Sequence, residues 1–312
     1  MSASALLLQR RQSRPRLALV LLSLLLLGGS LVHLGLGARW IAPQTVLQAL
    51  FHYDPRNFDH RIIVDLRLVR LAAALLTGAA LGVAGLLLQT VIRNPLGEPH
   101  ILGLNAGASL AVVATSALGI SLGGVALARP LTAACGAALL FGGVMLLSSS
   151  GRGGVTPLRI TLCGVALSAF ASAVTAAILI LDEQTLLAMR TWLAGDLAGL
   201  NWQTLRAALL PALAGLTIAL IIAPRLNVLA LGDKVALGLG VKIVQTRLLG
   251  LAAIALLCGS AVAVAAPVGA LVLLLADIAA RTLAAPQELA TGAMTALVGA
   301  PVFIVIAARF FK

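Results

Sequence analysis

The chain has 312 residues, of which 61% are hydrophobic and 10% charged. A soluble domain carries roughly a quarter charged residues, so a soluble fold of this length has no means of hiding so much apolar surface, and lipid supplies the missing environment. The net charge of +12 does not imply nucleic acid, because Lys and Arg fall singly or in short groups between apolar runs and aromatics make up only 4%; that distribution suits helix-end anchors.

In chain order, Arg10, Arg11, Arg14 and Arg16 precede an apolar stretch from Leu17 to Leu27 with no clear small-residue cleavage site after it. This reads as an uncleaved first helix with its amino end in the cytoplasm. A helix crosses the hydrocarbon in about 20 apolar residues, and runs of that kind lie at roughly 17–37, 68–91, 101–120, 125–148, 158–181, 204–223, 244–265, 268–285 and 291–309. They are continuous and rich in Leu, Ala, Gly and Val, without the alternation of barrel strands. The expected fold is an all-α polytopic transmembrane bundle forming one domain over residues 1–312. Small residues three or four apart, such as Gly78, Gly82 and Gly85, let helix backbones approach closely, and tight packing is the expected reason for most of them. Cys135, Cys163 and Cys258 each sit in an apolar run and read as small buried hydrophobes, and His33, His52, His60 and His100 form no ligand cluster. No metal or cofactor is expected.

Four polar or irregular segments interrupt the apolar background. The first is Arg67-Leu68-Val69-Arg70, which opens a long helix running through Gln89. The second holds Arg93, Asn94, Pro95, Leu96 and Pro99. Two prolines four apart are incompatible with a regular helix and predict a rigid cytoplasmic turn, after which Asn105 and Gly107 begin the next span. The third, Thr191 to Leu197, holds Trp192 and Gly195; with Trp202 it suits an interfacial belt, or a short helix over a pathway mouth. The fourth runs from Val228 to Val241. Gly232 and Gly240 bracket a mildly polar stretch that is too long for a tight turn, and one or two short helices are expected between them. Such a loop is suited to docking a soluble partner, with a solvated linker as the plainer reading.

Loop charges set the orientation. Arg93, Arg152, Arg159, Arg225, Lys234 and Lys242 fall on one side, whereas Asp54, Asp59, Asp65, Asp182, Glu183 and Asp196 fall on the other, along with Arg39, Arg56, Arg61, Arg129 and Arg190. The bias is imperfect but places the first group in the cytoplasm. Asp277 is an intramembrane carboxylate and so a functional candidate, although Arg281 one turn later is placed to neutralise it in an ion pair. No Walker A pattern occurs, and no nucleophile, metal or acid–base constellation is present. If ATP drives transport, another subunit hydrolyses it.

These segments, in this order, resemble the permease subunits of bacterial ABC importers for iron-siderophores, haem and cobalamin. The resemblance runs from about Arg67 to the carboxyl end. It is carried by Arg93-Asn94-Pro95-Leu96 with Leu102-Gly103, by Leu231-Gly232-Asp233 with Leu239-Gly240-Val241, and by Glu288-Leu289, Gly292, Thr295-Ala296, Gly299 and Pro301-Val302-Phe303. It implies ten helices per subunit, a permease dimer, and two cytoplasmic ATPase subunits docked on the loop Leu231, Gly232, Asp233, Lys234, Leu239, Gly240 and Val241. It also implies a periplasmic binding protein at the outer face, location in the inner membrane, and alternating access as the mechanism. Ferric-siderophore is the first expectation for cargo.

The sequence departs from that pattern in four places. Val69 stands where the family has proline, Lys234 where Glu is usual, and Ala290-Thr291 where a Pro-Val pair is usual. After Ala266-Pro267-Val268-Gly269 a further helix and its basic loop are missing, so nine spans are readable instead of ten. Nine spans put Arg309 and Lys312 outside, against the charge bias. Residues 266–285 are therefore re-entrant, or the chain is an internally shortened member, and a shortened member admits a non-transporting role. An ion-coupled carrier built around Asp277 is a weaker alternative, because other buried carboxylates are lacking.

Overall fold

The computed structural model describes residues 17, 20–21, 23–37, 39–94, 99, 102–120, 128–150, 157–193 and 200–264. The candidates Pro95, Leu96, Gly195, Asp277 and Arg281 lie outside them, as do the last two expected spans. Among the described residues the elements are helices and the turns that join them. They are α1 (Ser23–Gly35), α2 (Pro43–Phe51), α3 (Phe58–Arg61), a π-helical turn (Ile62–Arg67), α4 (Leu68–Ile92), α5 (Leu104–Ala117), α6 (Ala128–Ser149), α7 (Pro157–Leu181), α8 (Glu183–Leu193), α9 (Trp202–Ala230), α10 (Asp233–Gly238) and α11 (Ile243–Val264).

Five of these helices are long and apolar enough to cross a membrane: Phe58–Ile92, Ala128–Ser149, Leu158–Leu181, Trp202–Ala230 and Ile243–Val264. α1 and α5 are shorter apolar helices. Leu139, Leu146, Ile180 and Leu181 are all more than 70% exposed, a surface that only lipid or an apolar partner tolerates. The chain is a multi-pass membrane protein.

α11 is the centre of the bundle and packs on α4, α6 and α9, while α5 is wedged between α6 and α7. Two thirds of the apolar window of α11 (67%) is buried, against 17% for α7. Both helices are apolar all round, so composition does not separate them; position in the bundle does. At 29 residues α9 is about 44 Å long, which exceeds the roughly 30 Å hydrocarbon thickness. The helix thus outlasts the expected span 204–223, its last turns, from Pro224 to Ala230, extending past the apolar run.

Close helix approach occurs where two glycines meet. A Cβ at Gly107 in α5 would collide with the Gly136 carbonyl oxygen and come within 2.6 Å of Leu140 Cβ; one at Gly259 in α11 would lie 2.5 Å from the Ala134 backbone. Gly82 and Gly85 have nothing within 4 Å of such a Cβ. Among the described residues the packing role expected of them is not met, and belongs to Gly107, Gly136 and Gly259. The cysteines divide likewise. Cys258 is buried and Cys163 partly so, but Cys135 is exposed, because on α6 its neighbours Ala134 and Gly136 take the inward positions.

Candidate functional site

The two ends of the bundle differ. One end gathers the close of α4, the start of α5, the close of α9, α10 and the start of α11. The other gathers the close of α1, the π-turn, α8, the start of α9 and the close of α11.

At the first end, α4 stops at Ile92 because Arg93 takes the left-handed conformation (φ 51°), the only described non-glycine residue to do so. The N–H groups of Arg93 and Asn94 both bond to the Gln89 carbonyl, which closes the helix in the manner usually provided by glycine. An L side chain in this region is strained. The compensation here is the guanidinium, which reaches the Asp233 carboxylate across 140 positions of sequence. Gly103, at φ +83°, then starts α5; a Cβ there would lie 2.8 Å from Leu140 and 3.2 Å from Ser168 Oγ, so both backbone and space demand glycine.

The stretch between α9 and α11 contains the short helix expected from its glycines. Gly232 (φ 123°) and Gly240 (φ 76°) adopt backbone conformations closed to L side chains, with open space around both. They are glycines for their dihedrals rather than for packing. Between them, α10 turns Ala236 inward to complete burial, and the Val241 N–H closes on the Ala236 carbonyl at 2.9 Å. Outward it presents Leu231, Val235, Leu237 and Leu239, exposed by 68, 46, 63 and 62%. Asp233 at its first position is gripped twice, by Arg93 and by Arg247 of α11, whose Nη2 lies 3.1 and 3.2 Å from the two carboxylate oxygens. Beside this junction is a cavity of about 720 Å³ walled by α4, α6, α7 and α11 and lined mainly by apolar side chains, Phe141, Met145 and Leu251 among them. Arg247, Val235 and Leu237 are not picked out by the sequence reading. Arg247 stands in an apolar run, and which side chains of the glycine-bracketed segment face outward is not defined until the helix is placed.

The other predicted residues are scattered. Arg67 is 4% exposed and donates to the carbonyls of Leu34 (2.7 Å), Gly35 (2.8 Å) and Arg39 (2.6 Å). It ties the end of α1 to the bundle, where a cation suits the orphaned helix carbonyls. Arg70 is buried one turn later. Trp192 and Trp202 are turned onto the bundle: their indole N–H groups donate to the carbonyls of Val262 (2.9 Å) and Val64 (3.2 Å). Both are staples rather than outward-facing belt residues; the outward tryptophan at this end is Trp40, 63% exposed. Asp182 caps α8, accepting from Thr185 Oγ1 at 2.6 Å, and these hydrogen bonds hold its carboxyl below the ordinary range. On α4 the Gln89 side chain is exposed, in line with Ala79, Gly82 and Leu86. Asn105 is buried near the first end, and its carboxamide oxygen has no hydrogen-bond partner among the described residues. Pro99 is buried, its carbonyl accepting from the Leu104 N–H at 3.2 Å.

A profile of the FecCD transport family matches residues 24–269 and 262–309. The chain belongs to the FecCD transport family. The two matched pieces overlap at 262–269. The iron(3+)-hydroxamate import system permease protein FhuB of Bacillus subtilis is 36% identical over 90% of this chain and 80% of its own length. The ferric enterobactin transport system permease protein FepD of Escherichia coli is 37% identical over 92% of this chain and 94% of its own. A solved inward-facing structure of a metal-chelate type ABC transporter superposes with a TM-score of 0.73 at 28% identity, covering 95% of this chain and all of that one. This FecCD-family chain is thus an ABC permease subunit and not an enzyme, since ATP hydrolysis belongs to separate subunits of such transporters.

Proposed function

We propose that this chain is the permease subunit of an importer that carries a ferric siderophore or similar iron chelate across the bacterial inner membrane. It works beside a second permease subunit, with two ATPase subunits at the α10 end and a periplasmic binding protein at the opposite end. The observation that carries this reading is α10 itself. A helix of six residues is too short to be stable alone, yet it is held at the end of α9, past the apolar run, with four large apolar side chains facing out. Apolar surface clustered at such a place fits a protein partner. Basic residues around it (Arg93, Arg225, Lys234, Lys242 and Arg247) outweigh Asp233, which supports a cytoplasmic position and, by the alternation of spans, a cytoplasmic amino terminus. The sparse burial of α7 leaves room for the second permease subunit. The names of FhuB and FepD support an iron-chelate cargo. Import then follows from alternating access: nucleotide binding displaces the docked α10, and the helices rock about the pathway.

The test is uptake of iron-55 as ferric hydroxamate, ferric catecholate and ferric citrate by cells with and without the chain, its partner subunits being present. Loss of uptake of one chelate on deletion supports the assignment. Equal uptake of all three contradicts it, and points to a non-transporting role for a shortened family member. Leu237→Asp with Leu239→Asp removes the apolar face and is expected to abolish co-purification of the ATPase while the bundle stays folded.

A further inference from the structure

α10 has two sides with different work. Its outward side is apolar. Its inward contacts are the buried Ala236 and the carboxylate of Asp233, which receives one guanidinium from the end of α4 and one from the first turns of α11. α10 packs on α9 and α11, and the Arg93 ion pair ties it to α4. The backbone is shaped to make this pair: Arg93 is held in the left-handed region, and Gly232 at φ 123° delivers Asp233 to the first position of α10. By its place in the sequence, Asp233 is expected in the surface that meets the ATPase. The geometry points to something else. We infer that Asp233 is a positioning residue that faces the bundle, a charge clamp through which displacement of α10 is passed to α4 and α11 together.

The physical case rests on what else joins these elements. The glycines on either side have open space around them and adopt dihedrals that few residues share, so backbone alone makes a compliant connection between α10 and its neighbours. One carboxylate held from two helices, by Nη2 of Arg93 on one oxygen and by Nη2 of Arg247 shared between both, makes charge-assisted bonds in two directions and so resists movement of α10 away from either helix. The groups are half-exposed, at 31, 45 and 43% for Arg93, Asp233 and Arg247, so they contribute little to the stability of the fold. A contribution too small to decide folding is still large enough to decide how two sites communicate. The adjoining cavity leaves the ends of α4 and α11 unobstructed on one side, so without the clamp these ends have space to stay behind when α10 moves.

This inference rests on the permease reading and adds to it. The experiment uses the assembled importer in proteoliposomes, offered iron-55 as ferric hydroxamate, ferric catecholate and ferric citrate in turn, and measures iron-55 uptake per ATP hydrolysed. In Asp233→Asn the ATPase subunits are expected to co-purify as with the unaltered chain, while uptake per ATP falls by about fivefold or more, the lower end of typical coupling between sites. Asp233→Glu keeps the carboxylate and is expected to recover most of the ratio. Arg93→Gln with Arg247→Gln is expected to reproduce the loss, and adding Asp233→Asn to that pair to deepen it little, since all three act through one link. An unchanged uptake-to-ATP ratio in Asp233→Asn, or additive losses, would overturn the clamp. Loss of ATPase co-purification in Asp233→Asn would assign the residue to docking and also overturn it. Failure of the unaltered chain to bind any ATPase is a separate result, and removes the permease reading together with the inference.

Discussion

The Gly107–Gly136 crossing makes a sharp quantitative prediction. In Gly107→Ala the new methyl lies 2.6 Å from Leu140 Cβ and closer still to the Gly136 carbonyl oxygen, where ordinary contact begins at 3.4 Å. The carbonyl is backbone and has no rotamer in which to retreat, so α5 and α6 separate by roughly 0.8 Å or more to restore contact distance. Insertions of this size into a packed interior cost about 1–3 kcal/mol. Gly136→Ala meets the Gly107 carbonyl and Ala111 in the mirror-image clash, so it is expected to cost about as much, and the double variant less than the sum because the helices move apart only once. Gly82→Ala is the control: its Cβ enters open space, and helix propensity makes it neutral or stabilising by up to about 1 kcal/mol. The assay is thermal unfolding of the purified chain in detergent, with denaturant titration to convert midpoints to free energies. Equal stability of Gly107→Ala and Gly82→Ala would refute the packing argument, since it distinguishes two glycines that composition treats alike.

Arg67→Ala removes the guanidinium donor from the carbonyls of Leu34, Gly35 and Arg39, of which Gly35 keeps the Ile41 N–H at 3.1 Å; at about 1.5–3 kcal/mol for a hydrogen bond to a charged group, a loss of about 3 kcal/mol is expected from the other two. Faster proteolytic cleavage between α1 and α2 should accompany it, and Arg67→Lys should rescue poorly because an ammonium lacks the fork. Gly232→Ala, forced to φ 123° with space to spare, is expected to cost about 1–3 kcal/mol of local strain; weaker ATPase co-purification at an unchanged unfolding midpoint would show that the strain is confined to α10. Asp182 is held below its ordinary value of 3.8, so its capping contribution is present above that pH and is lost as pH falls through the lower folded-state value. Trp192 fluorescence, followed in a variant with Trp40 and Trp202 replaced by Phe, should be steady from pH 7 down to about 4, whereas Asp182→Ala shows the uncapped signal at neutral pH.

Long apolar runs reveal spans because lipid admits little else, and α4, α6, α7, α9 and α11 lie where the runs predict. The glycine-bracketed α10 is also legible, since Gly232 and Gly240 signal unusual dihedrals and the residues between them suit a helix. Partners in space are not legible. Nothing in the local sequence pairs Asp233 with Arg93 and Arg247, and Arg247 looks like a stray charge until α11 is set beside α4. Helices that are apolar on every face do not announce which face is inward, so Gly82 and Gly107 look equivalent, as do Cys135 and Cys258. Trp192 and Trp202 read as interfacial because their type is common there; their indole donors meet carbonyls that only the folded chain brings near. Arg67 reads as the opening of a long helix, and its partners, the carbonyls at the end of α1, are likewise brought near only by the fold.

The central claim is that an ATPase grips the outward face of α10. A photo-crosslinking residue at Leu237 tests it in cells, with the same residue at Trp40 on the opposite end as the reference. The account predicts an ATP-dependent adduct with the ATPase from position 237 and none from position 40; an ATPase adduct from 40, or none from 237 while the reference complex remains active, would contradict it.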